Sequence, residues 1–324
     1  KNILHHQQDL TSLAKSLGVS PETLKQQLDH DRQNLFQKRK RRIHPNLDDK
    51  ILAAWNGMML TTFADAAFVL KDRNLLQTAI HNAEFLASEM LIDGRLFRSW
   101  KNGTAHLNAY LEDYAQVIEG WLEIYQTTGE ITWLDKADQL MQLQVELFWD
   151  SEHKNFYFTS HDHEKLLVRH KEYMDNATPS GNSVSCLNLL KLAVLLGKSE
   201  YRDRAEQMLQ QVAQILPQYP SAFGYWLQAA DFFFGPVLEV AVIGKRTQRD
   251  ILLQAIRTRF LPNKVIAVAE EVDKKLEQTI PLLKGKTTGD NKATLYICKN
   301  YSCQEPVSTL AETEKLLDTL GYVK

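Results

Sequence analysis

Apolar residues recur at helical spacing along most of this chain. Leu111, Ala115, Ile118, Leu122 and Tyr125 follow one another at steps of three and four, which lays one apolar stripe along a helix. After the break Thr128-Gly129-Glu130, the residues Ala137, Leu140, Met141, Val145 and Phe148 do the same. Helix starts resembling one another place a bulky residue at Leu75, Trp133 and Tyr201 and an alanine four positions later, at Ala79, Ala137 and Ala205. Such self-similarity signals stacked supersecondary units. The pattern predicts helical hairpins over residues 48–90, 108–148 and 182–216, with a further helix group starting at 225–234. Gly57 and Gly120 fall mid-helix, where glycine costs about 1 kcal/mol relative to alanine; close helix approach would offset that.

Two stretches change period. Residues 155–159 and 165–169 flank the polar turn Ser160-His161-Asp162-His163-Glu164, which predicts a β-hairpin near 154–170. Beyond Gly235-Pro236, strand-like runs at 237–243, 264–269 and 293–298 alternate with helical patterns at 249–260 and 310–320, so a small α/β extension with a partly parallel sheet closes the chain. The expected layout is an N-terminal helical segment (1–43), a hairpin-repeat domain (44–234) and an α/β subdomain (235–324). Gly244-Lys245-Arg246-Thr247 lacks the repeated glycines of a phosphate loop.

Composition narrows the class. With 324 residues, 44% hydrophobic and 24% charged, the chain can bury a large core, and a formal net charge of -2 gives no field that attracts nucleic acid or anionic lipid. The basic run Lys38-Arg39-Lys40-Arg41-Arg42 closes a predicted helix, where it suits the macrodipole. No stretch is apolar for long enough to span a bilayer, and residues 1–8 lack a signal-peptide core, so a cytoplasmic protein without membrane or nucleic-acid partners is expected. Cys298 and Cys303 have neither redox-motif nor zinc-knuckle spacing, and are expected as free thiols; Cys186 reads as core. His161 and His163 lack a carboxylate ligand set, no serine sits in a nucleophile elbow, and neither metal nor cofactor is expected.

The chemistry lies in three clusters at predicted helix entrances. The first, His44-Pro45-Asn46-Leu47-Asp48-Asp49-Lys50, leads into Trp55 and Asn56; the second is Tyr110-Leu111-Glu112-Asp113-Tyr114. The third runs from Asp175 and Asn176 through Pro179-Ser180-Gly181-Asn182-Ser183. Carboxylates orient sugar hydroxyls or act as general acid and base, and aromatic faces stack on pyranose rings. Asp48, Asp49, Glu112 and Asp113 are therefore the candidate catalytic groups. His44, Trp55, Asn56, Tyr110, Tyr114, Asp175, Ser180 and Asn182 are the candidate ligand-binding ones. The structural alternative is equally concrete: acidic residues in a first turn stabilise the helix dipole, and Ser180, Asn182 or Ser183 serves as an N-cap. Glu119 and Glu123 continue the Glu112 stripe, which by itself reads as a solvated face.

These clusters, with the tail Tyr296-Ile297-Cys298-Lys299-Asn300-Tyr301-Ser302-Cys303-Gln304-Glu305-Pro306, resemble the C-terminal part of the thioredoxin-domain-containing, spermatogenesis-associated protein family. The resemblance spans nearly the whole chain. It implies fold more than function: an N-terminal thioredoxin-like domain followed by a mainly α region, an (α/α)6 toroid similar to six-hairpin glycosidases and N-acylglucosamine 2-epimerases. The chain carries no Cys-x-x-Cys, and only two helices over residues 9–42 precede His44. The expectation is thus an incomplete ring with an acidic rim that binds, hydrolyses or epimerises a carbohydrate. The alternative is a non-catalytic interaction module whose open ring is completed by self-association or a partner chain.

Overall fold

The computed structural model describes residues 8–164, 166–289, 292–299 and 302–322. It divides into two compact units, residues 1–49 and 50–324.

The N-terminal unit holds two helices, α1 (Leu10–Leu17) and α2 (Pro21–Lys40). Asp9 and Ser20 cap them through side-chain oxygens, Gly18 ends α1 in the left-handed region, and Lys38, Arg39 and Lys40 occupy the last turn of α2. Residues 43–49 follow without regular structure and are exposed.

The second unit begins with a short strand, β1 (Ile51–Leu52), and continues with the hairpin helices α3 (Ala53–Val69) and α4 (Arg73–Phe85). Strands β2 (Leu91–Ile92), β3 (Arg95–Lys101) and β4 (Thr104–Asn108) come next. They are followed by α5 (Leu111–Thr128) and α6 (Ile131–Phe148), β5 (Trp149–Asp150) and β6 (Asn155–Phe156), α7 (Gly181–Leu196) and α8 (Ser199–Val212), and α9 (Gly224–Phe234). Helices α3, α5, α7 and α9 pack side by side as an inner layer, and α4, α6 and α8 each cover the preceding inner helix. This is the incomplete arc of helical hairpins that the 3.6-residue period predicts. Helix α5 lies at its centre and is buried along its whole length except at Glu112.

The glycine argument holds. A Cβ added at Gly57 would lie 2.5 Å from the Gln116 backbone carbon, and one at Gly120 would lie 2.8 Å from Leu60 Cβ, so α3 and α5 cross with their backbones in near contact.

The predicted hairpin at 154–170 takes a different form. Strand β6 pairs back with β5, with Trp149 opposite Phe156, through a turn in which Lys154 is left-handed. Residues 166–169 form no strand; Leu167 and Val168 are exposed, and no sheet edge organises their β-propensity. Lys165 lies outside the described residues. The first inner helix also starts later than expected: residues 51–52 pair with Trp100 and Ser99 on β3, and Leu52 is the N-cap of α3.

The last segment comprises β7 (Leu238–Ile243), α10 (Arg246–Arg257), β8 (Lys264–Ala269), α11 (Lys274–Thr279), β9 (Thr294–Lys299), β10 (Ser302–Cys303) and α12 (Leu310–Thr319). Its sheet has the order β10-β9-β7-β8, parallel between β7 and β8 and antiparallel elsewhere. Leu238, Val240 and Val242 face α10 and α12, while Ala241 and Ile243 join the core of the helical layer, so both faces are covered and the strand reads as one apolar run. Cys298 and Cys303 lie directly opposite on β9 and β10 and form a disulfide, contrary to the expected free thiols. The hairpin register overrides the unpromising sequence spacing.

This α/β segment caps one end of the inner helices. Gln254 donates to the Phe68 carbonyl at the end of α3 (2.8 Å), and Arg249 donates to the Thr128 carbonyl at the end of α5. Pro281 packs on Gly197 after α7, and Asn263 donates to the Asp231 carbonyl in the last turn of α9 (3.2 Å). Carbonyls at the helix ends thus gain side-chain donors from this segment, and the arginine complements the negative helix ends. Among the described residues, no helix is long and apolar enough to cross a membrane.

Candidate functional site

The opposite ends of the inner helices gather at one rim, held together by side chains from the sequence clusters. Asp113 accepts from the Ala54 amide (3.0 Å) and the Tyr110 amide (2.9 Å), tying the starts of α3 and α5. Gly181 lies so close to α5 that a Cβ would meet the Glu112 nitrogen at 2.9 Å. Asp175 accepts from the Ser180 amide (2.9 Å) and the Ser183 hydroxyl (2.7 Å) through one oxygen and from the Tyr225 amide (2.8 Å) through the other, joining α7 to α9.

Most rim residues are occupied by these tasks. Asn182 is fully buried: its carbonyl accepts from Phe156 N–H, and its amide donates to the Phe156 and Glu172 carbonyls. Ser180 caps α7 by accepting from Ser183 N–H (3.1 Å). Tyr114 is buried with its hydroxyl accepting from Leu96 N–H (3.3 Å), and Asn56 donates to the Leu52 carbonyl (2.8 Å). Burial pushes Asp113 up to about 6 although Arg98 pulls the other way. Arg98 bonds Glu112 at 2.8 Å and Asp113 at 3.2 Å, and its guanidinium lies over Tyr110. Glu112, Asn56 and Trp55 are the helix-borne candidates with open surface, Trp55 being 63% exposed. His44, Asp48 and Asp49 belong to the N-terminal unit, where His44 donates to the Lys40 carbonyl (3.1 Å). Asp48 and Asp49 are exposed in non-helical chain, outside the first helical turn in which their spacing places them.

The chemistry that sequence reasoning missed lies deeper. A cavity of about 510 Å³ has the inner helices as walls and the α/β segment as its floor. Helix α3 contributes Asp65, α5 contributes Glu119, Glu123 and Gln126, α7 contributes Lys191, and α9 contributes Tyr225 and Gln228. Arg257, Phe260, Asn263 and Lys264 come from below. Glu119 and Glu123 are buried, so the acidic stripe of α5 faces this interior rather than solvent.

The charges are cross-tied. Arg257 Nη1 bonds Asp65 at 2.7 Å and also Glu123, and Tyr225 donates its hydroxyl to Glu119. Gln126 donates to Glu123 at 3.2 Å, and Lys191 Nζ lies 3.7 Å from Glu119. Burial and the neighbouring Glu123 push Asp65 up to about 6 against the pull of Arg257. Burial also acts to raise Glu123, but Arg257 and Lys191 prevail and hold it below the usual carboxylate range. Burial, then the Glu119 carboxylate, raise Tyr225 well above an ordinary phenol, and burial lowers Lys264. Two carboxyl groups driven in opposite directions around one guanidinium can divide acid and base roles. Among the described residues, no group of three or more His, Cys, Asp or Glu is placed to hold a metal ion.

Along nearly its whole length the chain aligns with two mammalian proteins. It is 32% identical over 331 residues to human spermatogenesis-associated protein 20 and 33% identical over 332 residues to the Rattus norvegicus protein, covering 98% of this chain in each case. The chain is a homologue of spermatogenesis-associated protein 20. It spans 42% of the length of these curated relatives. No family model matches the chain. Solved structures similar to part of it include cellobiose 2-epimerase from Bacillus thermoamylovorans, with 17% identity and a TM-score of 0.42 over 52% of this chain and 45% of that one. A family 76 α-mannanase from Bacteroides thetaiotaomicron gives 15% identity and a TM-score of 0.43 over 52% and 47%. A family 105 glycoside hydrolase from C. acetobutylicum gives 13% identity and a TM-score of 0.42 over 63% and 61%.

Proposed function

We propose that this protein binds a carbohydrate in the cavity enclosed by its inner helices and floored by its α/β segment. The observation that carries this reading is the make-up of the wall: hydrogen-bond acceptors (Asp65, Glu119, Glu123) and donors (Lys191, Arg257, Lys264, Gln228) of nearly balanced charge surround about 510 Å³. A neutral ligand bearing many hydroxyls, each both donor and acceptor, matches such a lining, and the volume falls within the roughly 300–1,000 Å³ of small-molecule sites. Phe260, exposed at the mouth, offers a face for a sugar ring. Glu112 lies on the same stripe of α5 as Glu119 and Glu123, so with Trp55 it extends the site toward the rim for a longer saccharide.

The experiment is calorimetric screening of native protein against neutral and acidic mono- and oligosaccharides, repeated with Glu119→Gln and Glu112→Gln. Saturable binding weakened by Glu119→Gln is expected, with Glu112→Gln affecting only the longer ligands. Absence of binding across the panel removes this reading.

A second reading, a partner-binding module, is favoured by one feature: an apolar groove between α8 and α9 that includes Leu209, Leu216, Leu227 and Phe234, the last 80% exposed. Light scattering over a concentration series distinguishes the two. A strict monomer counts against self-association through the groove.

A further inference from the structure

Resting on the carbohydrate reading above, we propose that the cavity performs proton transfer on its sugar. Asp65 removes the proton from the carbon beside the carbonyl, and Lys264 with Lys191 holds the enediolate oxygen that forms.

Three features single out Asp65. Its side chain is 54% exposed at the cavity mouth, against 12% for Glu123 and 9% for Glu119, so a ligand reaches it first. Arg257 holds one of its oxygens at 2.7 Å and is itself anchored by Glu123 and laid against the Phe68 ring, which fixes the carboxylate's direction while the second oxygen remains the atom that takes the proton. Glu123, the second carboxylate on Arg257, stands beside it, so a proton taken up by Asp65 relieves the repulsion between the two carboxylates.

The lysines decide the reaction class. Lys191 reaches the space from α7 and Lys264 from the start of β8. Lys264 Nζ donates to the Leu261 carbonyl at 3.3 Å, and Lys191 stands 3.7 Å from Glu119; each ammonium has three N–H donors, which leaves capacity for a ligand oxygen. Two ammoniums stabilise the negative oxygen of an enediolate and oppose the positive charge of the oxocarbenium ion through which glycosides are hydrolysed.

The steps balance without an external oxidant or reductant. The C–H electron pair becomes the new carbon–carbon π bond, and the carbonyl π pair moves onto oxygen. Return of the proton to the neighbouring carbon, with the hydroxyl proton passing between the two oxygens, converts aldose to ketose. Return to the opposite face of the same carbon inverts that centre.

The test is proton NMR of D-glucose, D-mannose, D-fructose and cellobiose incubated with the full chain in D2O, with binding of each sugar measured separately by calorimetry. The expected result is deuterium replacing the proton beside the carbonyl carbon in at least one sugar. Asp65→Asn should slow exchange by about 10²–10⁴-fold, far more than any weakening of sugar affinity measured by calorimetry on the same folded variant. Lys264→Met should lower the exchange rate more than the affinity. Binding without exchange, exchange that survives Asp65→Asn, or cleavage of cellobiose without exchange each overturns this assignment and leaves the binding reading intact. Absence of binding to any sugar removes both.

Discussion

Asp113 shows what one buried carboxylate does at a helix start. It accepts two backbone amides and a guanidinium, yet burial keeps it near 6, above the ordinary aspartate value of 3.8. An acid raised on folding contributes stability that is fully present below about 3.8 and is lost as the pH climbs through 6. Asp113→Asn removes the titrating group, at the cost of the acceptor that takes the Tyr110 amide and Arg98. Relative to wild type it should gain on the order of 3 kcal/mol between pH 4 and 7, read from urea unfolding at several pH values, and a difference that does not change with pH would refute the assignment. The cysteines give a second check at this scale. Under denaturing, non-reducing conditions one thiol, Cys186, should react, and three after reduction. Sequence pattern located Asp113, Asp175 and Ser180 at helix entrances but not their partners, which sit up to 59 residues away. Glu119 and Glu123 were harder still: acids four residues apart look the same whether the face they line meets water or a cavity.

Elements were legible wherever local periodicity and tertiary burial agree, as in α5, α6 and β7. They were illegible where pairing comes from elsewhere. The β3–β4 hairpin turns on Asn102-Gly103, both left-handed, a signal present in the sequence that the dominant helical period obscures. Residues 166–169, rich in leucine and valine, stay irregular because nothing pairs with them. Between α3 and α5 the decisive quantity is distance. Gly57→Ala improves helix propensity by about 1 kcal/mol, but its methyl would press on the Gln116 carbonyl at 2.6 Å, so a net destabilisation of roughly 1–3 kcal/mol is expected. Gly224→Ala, with no atom within 4 Å, should be neutral or stabilising by up to about 1 kcal/mol. Equal melting temperatures for the two variants would contradict the close crossing.

At the scale of the molecule, the helical layer and the α/β segment do not make separate sense. The sheet covers the C-terminal ends of the inner helices and supplies Arg257 and Lys264 to the cavity, while the helices bury the second face of β7. A chain ending at Gly235 would leave the Thr128 carbonyl without its Arg249 donor and an apolar floor in water. It should lose its cooperative unfolding transition and bind a hydrophobic dye; a sharp transition at the wild-type temperature would show that the layer stands alone.

The Arg257 to Asp65 bond closes a loop of 192 residues, and Gln254 reaches Phe68 across 186. Contacts of such separation form late, because the chain must first give up the freedom of everything between them. On a ribosome the walls of the cavity therefore emerge long before its floor. Until β8 has been made, Glu119, Glu123 and Asp65 face one another without Arg257 or Lys264 between them. Lys191 then offsets one of the three carboxylates, so an excess of negative charge stays on the inner face until the last quarter of the chain brings Arg257 and Lys264 to balance it.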